Sequence, residues 1–211
     1  MYKRQIVEQI AVDIVLLPEK EIIDKAIEAN RKLLKRFPGK IVLNNKNCLP
    51  HISLAMGCID KNSIPEINRN LSVIAEKYPV NFLNFEGFRI EQNSSKEKIT
   101  VTQIEKTQML QLLHEKVMND LKVYFSYNVK SEMLLSSEKV SESTLSWIRD
   151  YPVNSSFDRF FPHITIGYGQ IENYFFPREI PISKIAMCHL GNHCTCRKIL
   201  ASAVISKQAS N

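Results

Sequence analysis

The sequence predicts an α+β protein of two related lobes, with largely antiparallel sheets flanking a central cleft and helices on the outside. Three observations carry this expectation. Helical and strand-like patterns are mixed along the 211 residues without the strict alternation of a parallel α/β sheet. The C-terminal part is strand-like around Gly191-Asn192, the pattern of a hairpin. An octapeptide occurs twice, beginning at Pro50 and again at Pro162, about half the chain apart.

The elements follow in order. Residues 9–17 (QIAVDIVLL) are rich in β-branched side chains and stop at Pro18, which predicts a strand and then a helix start. Residues 19–37 place Ile22, Ile23, Ala26, Ile27, Ala29, Leu33 and Leu34 at helical spacing, closed by Pro38-Gly39. A second strand over 50–59 precedes a second helix over 64–78, with Ser63 as its N-cap and Pro65 in its first turn. Strands over 81–91 and 98–105 flank a polar turn through Asn93, Ser94 and Ser95. Residues 106–125 are helical, with Met109, Leu110, Leu113, Val117, Met118 and Leu121 on one face. A further helix is expected over 137–151, then strands over 160–168, 185–190 and 195–205. Hydrophobic residues make up 44% of the chain, enough for one sizeable core, and a single two-lobed domain over residues 1–211 is expected.

The repeated segment carries the chemistry. Pro50-His51-Ile52-Ser53-Leu54-Ala55-Met56-Gly57 matches Pro162-His163-Ile164-Thr165-Ile166-Gly167-Tyr168-Gly169, with Pro, His, Ile and the last Gly identical and a hydroxyl kept at the fourth position. In an unbroken strand, side chains alternate between faces. His51, Ser53 and Ala55 would then face one side, as would His163, Thr165 and Gly167, while Leu54, Met56, Ile166 and Tyr168 face the core. Two such strands facing each other across a pseudo-twofold axis would bring two imidazoles and two hydroxyls around a space the size of a phosphate. An imidazole has a pKa of about 6.5, so one can take a proton from the attacking group while the other protonates the leaving oxygen. The hydroxyls of Ser53 and Thr165 would hold the non-bridging oxygens. A lone strand histidine is usually structural, but shared ancestry gives no reason to keep His and a hydroxyl in both copies.

On these residues the chain resembles the two-histidine phosphoesterase superfamily, marked by a His-apolar-Ser/Thr-apolar motif in each lobe of a duplicated α+β fold. Its members include proteins similar to 2′-5′ RNA ligases, RNA 2′,3′-cyclic phosphodiesterases and enzymes acting on 2′-5′ oligoadenylates. Both motifs are complete here, His51-Ile52-Ser53-Leu54 and His163-Ile164-Thr165-Ile166. The resemblance implies His51 and His163 as catalytic, Ser53 and Thr165 as phosphate-binding, and neither metal nor cofactor. It also implies an RNA end, a 2′-5′ oligonucleotide or a cyclic nucleotide as substrate.

A net charge of +6 suits such a polyanion, although the basic residues are scattered. Lys46, Arg89, Arg159 and Arg197 are further phosphate contacts to consider, and Phe161 or Tyr168 a base-stacking surface. The first residues lack the apolar core of a signal peptide and no run is long enough to span a membrane, so a cytoplasmic monomer is expected. In that compartment the five cysteines should be reduced thiols. His114 should be solvated or half-buried on its helix. Two other readings remain: a non-catalytic RNA or nucleotide binder that keeps the pocket, and a zinc-stabilised module built on the Cys/His-rich stretch from Cys188 to Cys196.

Overall fold

The computed structural model describes residues 8–37, 41–92 and 96–206. The basic N-terminal residues, Pro38-Gly39, the Asn93-Ser94-Ser95 turn and the C-terminal tail lie outside them. Seven strands and four α-helices are present among the described residues: β1 (Gln9–Pro18), α1 (Lys20–Arg36), β2 (Ile52–Asp60), α2 (Ile64–Lys77), β3 (Phe82–Gln92), β4 (Lys98–Ile104), α3 (Gln108–Leu121), α4 (Glu142–Asn154), β5 (His163–Tyr168), β6 (Glu179–Leu190) and β7 (Cys196–Val204).

Local chemistry explains most boundaries. The Thr107 hydroxyl accepts from Leu110 N–H at the start of α3, and the Ser141 hydroxyl accepts from Thr144 N–H at the start of α4. Ser63 does not cap α2. It sits in a short 3-10 turn over Lys61–Ser63, where the Asp60 carboxylate accepts from Asn62 N–H, so the capping group lies three residues earlier than expected. β6 begins six residues before the expected start because Pro181 interrupts its pattern. That proline pairs with Phe82 on β3, and the next residue, Ile182, with Pro18 on β1, so Pro181 marks where β6 passes from one neighbour to the other.

Every pairing between these strands is antiparallel. The order β1-β2-β5-β4-β3-β6-β7, with an added β1–β6 pairing, closes six strands into a ring and leaves β7 outside it. One half contains β7, β6, β1 and β2, and the other β5, β4 and β3. On the cleft side the halves join through a single register pair, Ile52 with Ile164. Behind the sheet α1 packs on β5, α3 on β2, and α2 on β7 and β6. Ile52, Leu54, Ile164 and Ile166 are fully buried with Leu33, Leu113 and Val117 in one apolar core. Burying each such side chain is worth about 1.5–3 kcal/mol, which makes the motif strands part of what holds the fold.

The cysteine expectation needs correction. Cys188 on β6 and Cys196 on β7 form a disulfide, their Cα atoms 5.5 Å apart, while Cys48, Cys58 and Cys194 are free thiols. The pairing of two neighbouring strands, which spacing along the chain does not reveal, brings these two residues together. No helix among the described residues is long and apolar enough to cross a membrane.

Candidate active site

The octapeptides meet at their third residue, the Ile52–Ile164 pair, and both contain a β-bulge at their fifth. Adjacent residues Ile14 and Val15 of β1 oppose Ala55 and Ser53, so Leu54 is the extra residue in β2. Thr100 and Val101 of β4 likewise oppose Gly167 and Thr165, so Ile166 is the extra residue in β5. A bulge resets the alternation of side chains. Ser53 and Met56 line the cleft, as do Thr165 and Tyr168. Ala55 and Gly167 do not. A Cβ on Gly167 would lie 2.7 Å from Asn30 Nδ2 on α1, and the residue's φ is +150°. The expected facing therefore holds up to the hydroxyl and inverts after the bulge, moving Tyr168 from the core to the cleft.

Both bulges are secured from behind in matching ways. His114 Nδ1–H on α3 donates to Leu54 O at 2.7 Å, and Asn30 Nδ2–H on α1 donates to Ile166 O at 2.7 Å. His114 is fully buried, contrary to the sequence expectation, and its Nε2 accepts from Phe157 N–H at 2.8 Å. Stacking on Phe160, 4.1 Å between ring centres, completes its enclosure. Burial pushes its pKa down to about 4, so the ring is neutral when folded but titrates near 6.5 when unfolded. As pH falls from 6.5 towards 4 the unfolded chain binds a proton that the folded one refuses, and stability falls by up to about 1.4 kcal/mol per pH unit from this group. His114→Asn, which adopts the solution of the other half, should lower stability at pH 7.5 by about 1–3 kcal/mol through the stranded Phe157 N–H. It should also flatten the decline below pH 6.5, measured as denaturant midpoints from pH 7.5 to 4.5.

The catalytic candidates are held alike. His51 Nδ1 lies 2.7 Å from Leu49 O, and His163 Nδ1 lies 2.8 Å from Phe161 O. A carbonyl can only accept, so Nδ1 carries the hydrogen in each ring and Nε2 is left with its lone pair. Both rings line a cleft of about 760 Å³ with Ser53 and Thr165, so the structure brings all four sequence-predicted residues together. Burial pushes the pKa of His51 down to about 4, assisted by the proximity of His163, and lowers that of His163. Burial thus disfavours the imidazolium form of both rings.

Sequence reading missed Asp13. No motif marks this residue, yet a carboxyl in the middle of the most apolar strand is itself a signal. Asp13 on β1 is fully buried, and its Oδ2 accepts from the Ser53 hydroxyl at 2.6 Å and lies 3.6 Å from His51 Nε2.

Of the other contacts considered, Arg89 and Arg159 line the cleft, whereas Lys46 and Arg197 do not. Arg197 donates instead to Asn47 O. Phe161 lines the cleft but packs against His163 and lies beneath the Arg89 guanidinium, 4.9 Å from its ring centre. Trp147 on α4, half exposed at the cleft, is an aromatic surface that sequence reading assigned only to a helix. The Cys/His-rich stretch does not converge. Two of its cysteines are bonded to each other, His189 Nε2 lies 3.1 Å from Met133 O, and among the described residues no three His, Cys, Asp or Glu side chains gather as metal ligands would.

The fold and cleft define a class: an antiparallel α+β protein of two pseudo-symmetric halves, each contributing one His-x-hydroxyl strand to a shared site. No family model and no curated protein matches the chain. Solved structures do share the fold. Escherichia coli LigT complexed with 3'-AMP aligns over 95% of this chain and 100% of its own at 14% identity, with a TM-score of 0.55. The Thermus thermophilus protein TT0787 aligns over 93% and 98% at 15% identity, TM-score 0.53. A structure described as a phosphoesterase aligns over 95% and 100% at 13% identity, TM-score 0.50.

Proposed function

We propose that the protein is a two-histidine phosphoesterase, acting without a metal on a 2′,3′-cyclic or 2′-5′-linked phosphodiester of RNA or a nucleotide. One observation carries the reading: His51 and His163, pseudo-symmetric and each with Nδ1 tied to the carbonyl two residues back, present the same tautomer to one cleft. General acid/base catalysis needs this geometry, with one imidazole taking the proton of the attacking water or hydroxyl and the other, protonated, giving one to the leaving oxygen. The anionic phosphate favours the imidazolium that burial disfavours. The Thr165 hydroxyl donates to one non-bridging oxygen, the Ser53 hydroxyl to another once its hydrogen leaves Asp13, and Arg89 and Arg159 bring guanidinium donors to a cleft that Glu91, Asp150 and Asp158 also line. The shared fold with E. coli LigT, solved with 3'-AMP, supports a nucleotide-sized ligand. The protein should be incubated with RNA bearing 2′,3′-cyclic phosphate ends, 2′-5′ oligoadenylates and cyclic nucleotides, with and without EDTA, and the products identified. Turnover of a 2′-linked or cyclic diester that survives chelation is the expected result. Turnover lost on chelation and restored by zinc or magnesium would overturn the metal-free mechanism.

A further inference from the structure

The two halves differ at one position beside the histidines. In the first, Val15 and Asp13 of β1 oppose Ser53 and Met56 of β2. In the second, Val101 and Ile99 of β4 oppose Thr165 and Tyr168 of β5. Octapeptide, bulge and carbonyl-held imidazole all have counterparts, but Asp13 corresponds to Ile99. The first motif thus has a fully buried carboxyl hydrogen-bonded to its hydroxyl, whereas the acidic neighbour of His163 is Glu91 on β3, which is partly exposed and ion-paired with Arg89.

That neighbour is poorly satisfied where it stands. Asp13 Oδ2 accepts from Ser53, but Oδ1 is buried with no hydrogen-bond partner among the described residues. A buried carboxylate with one donor is costly unless a positive charge forms beside it. The titratable groups around the pair are the Tyr151 phenol on α4, the Cys194 thiol before β7 and the His163 imidazole on β5. Across β1, Asp13 pairs with Cys188 of β6, which is held in its disulfide. Burial raises the pKa of both Tyr151 and Cys194, which stay protonated and uncharged at neutral pH. The base at hand for the proton of Asp13 is His51, 3.6 Å away.

We propose, on the phosphoesterase reading above, that Asp13 is a positioning residue of the first motif: Asp13 and His51 hold one proton between them across neutral pH, while His163, whose acidic neighbour Glu91 is neutralised by Arg89, holds none. Asp13 also aims the Ser53 hydroxyl, which donates to its Oδ2. The burial that lifts the carboxyl's pKa well above its usual value and depresses that of His51 favours this shared proton over full ionisation of either group. The apparent symmetry of the two motifs therefore conceals a difference in proton occupancy.

The test uses the whole wild-type protein without substrate. Carbon and nitrogen NMR should follow the Asp13 carboxyl and the two motif imidazoles from pH 4 to 9. Coupled groups report each other's titration, so Asp13 and His51 should show the same two inflections, with the upper one faint or missing at His163. In Asp13→Asn the upper inflection should vanish from His51. An Asp13 carboxyl that titrates alone, or a His51 curve identical in the variant, overturns the proposal. Where a diester is turned over, the alkaline limb of kcat/KM should move by about one unit or more to lower pH in Asp13→Asn, with KM little changed. If no diester is turned over the proposed function fails, but the NMR result still decides the shared proton. If the variant does not fold, the paired inflections in wild type decide it alone.

Discussion

Replacing either His51 or His163 by Ala should lower turnover of a cyclic or 2′-5′ diester by at least about a hundredfold, the usual contribution of a general acid or base. The expectation is symmetric because each ring holds the same tautomer against its carbonyl and both line one cleft. In the proposed mechanism each imidazole acts in the opposite state from its partner, so neither substitution should be rescued by the remaining ring. The fold should survive, since His51 and His163 border the apolar core without belonging to it. Steady-state rates with circular dichroism of both variants check this. A variant that is folded and turns over normally removes its histidine from the mechanism.

The second large effect separates stability from binding on a single strand. Gly167 has a φ of +150°, and a Cβ there would press on Asn30 Nδ2, which already donates to Ile166 O. Gly167→Leu combines a backbone conformation nearly reserved for glycine with overpacking, each costing about 1–3 kcal/mol, so most of its effect should fall on the denaturant midpoint. Ile166→Ala should also cost about 2–5 kcal/mol by leaving a core cavity. Tyr168→Ala should do the reverse, raising KM while the midpoint moves much less, because Tyr168 lines the cleft. Should Gly167→Leu leave stability intact and abolish binding, the strand alternates without a bulge and Gly167 faces the substrate.

Element types, the antiparallel α+β class and the four cleft-lining motif residues were legible in the sequence. These follow from signals written locally: β-branched runs, helical stripes and an octapeptide whose second copy repeats His and hydroxyl. Alternation placed His51, Ser53, His163 and Thr165 correctly because all four precede the bulge. Beyond it, the facing of Ala55, Met56, Gly167 and Tyr168 was decided by the ladders with β1 and β4, since the extra residue exists only relative to a partner strand. The same holds for the buried role of His114, which depends on a carbonyl sixty residues away in sequence, and for the Cys188–Cys196 bond, which depends on the β6–β7 pairing. Asp13 was legible as an oddity in an apolar strand. What it touches was not, because Ser53 and His51 reach it only when β1 and β2 lie side by side and tertiary packing strips the water from all three.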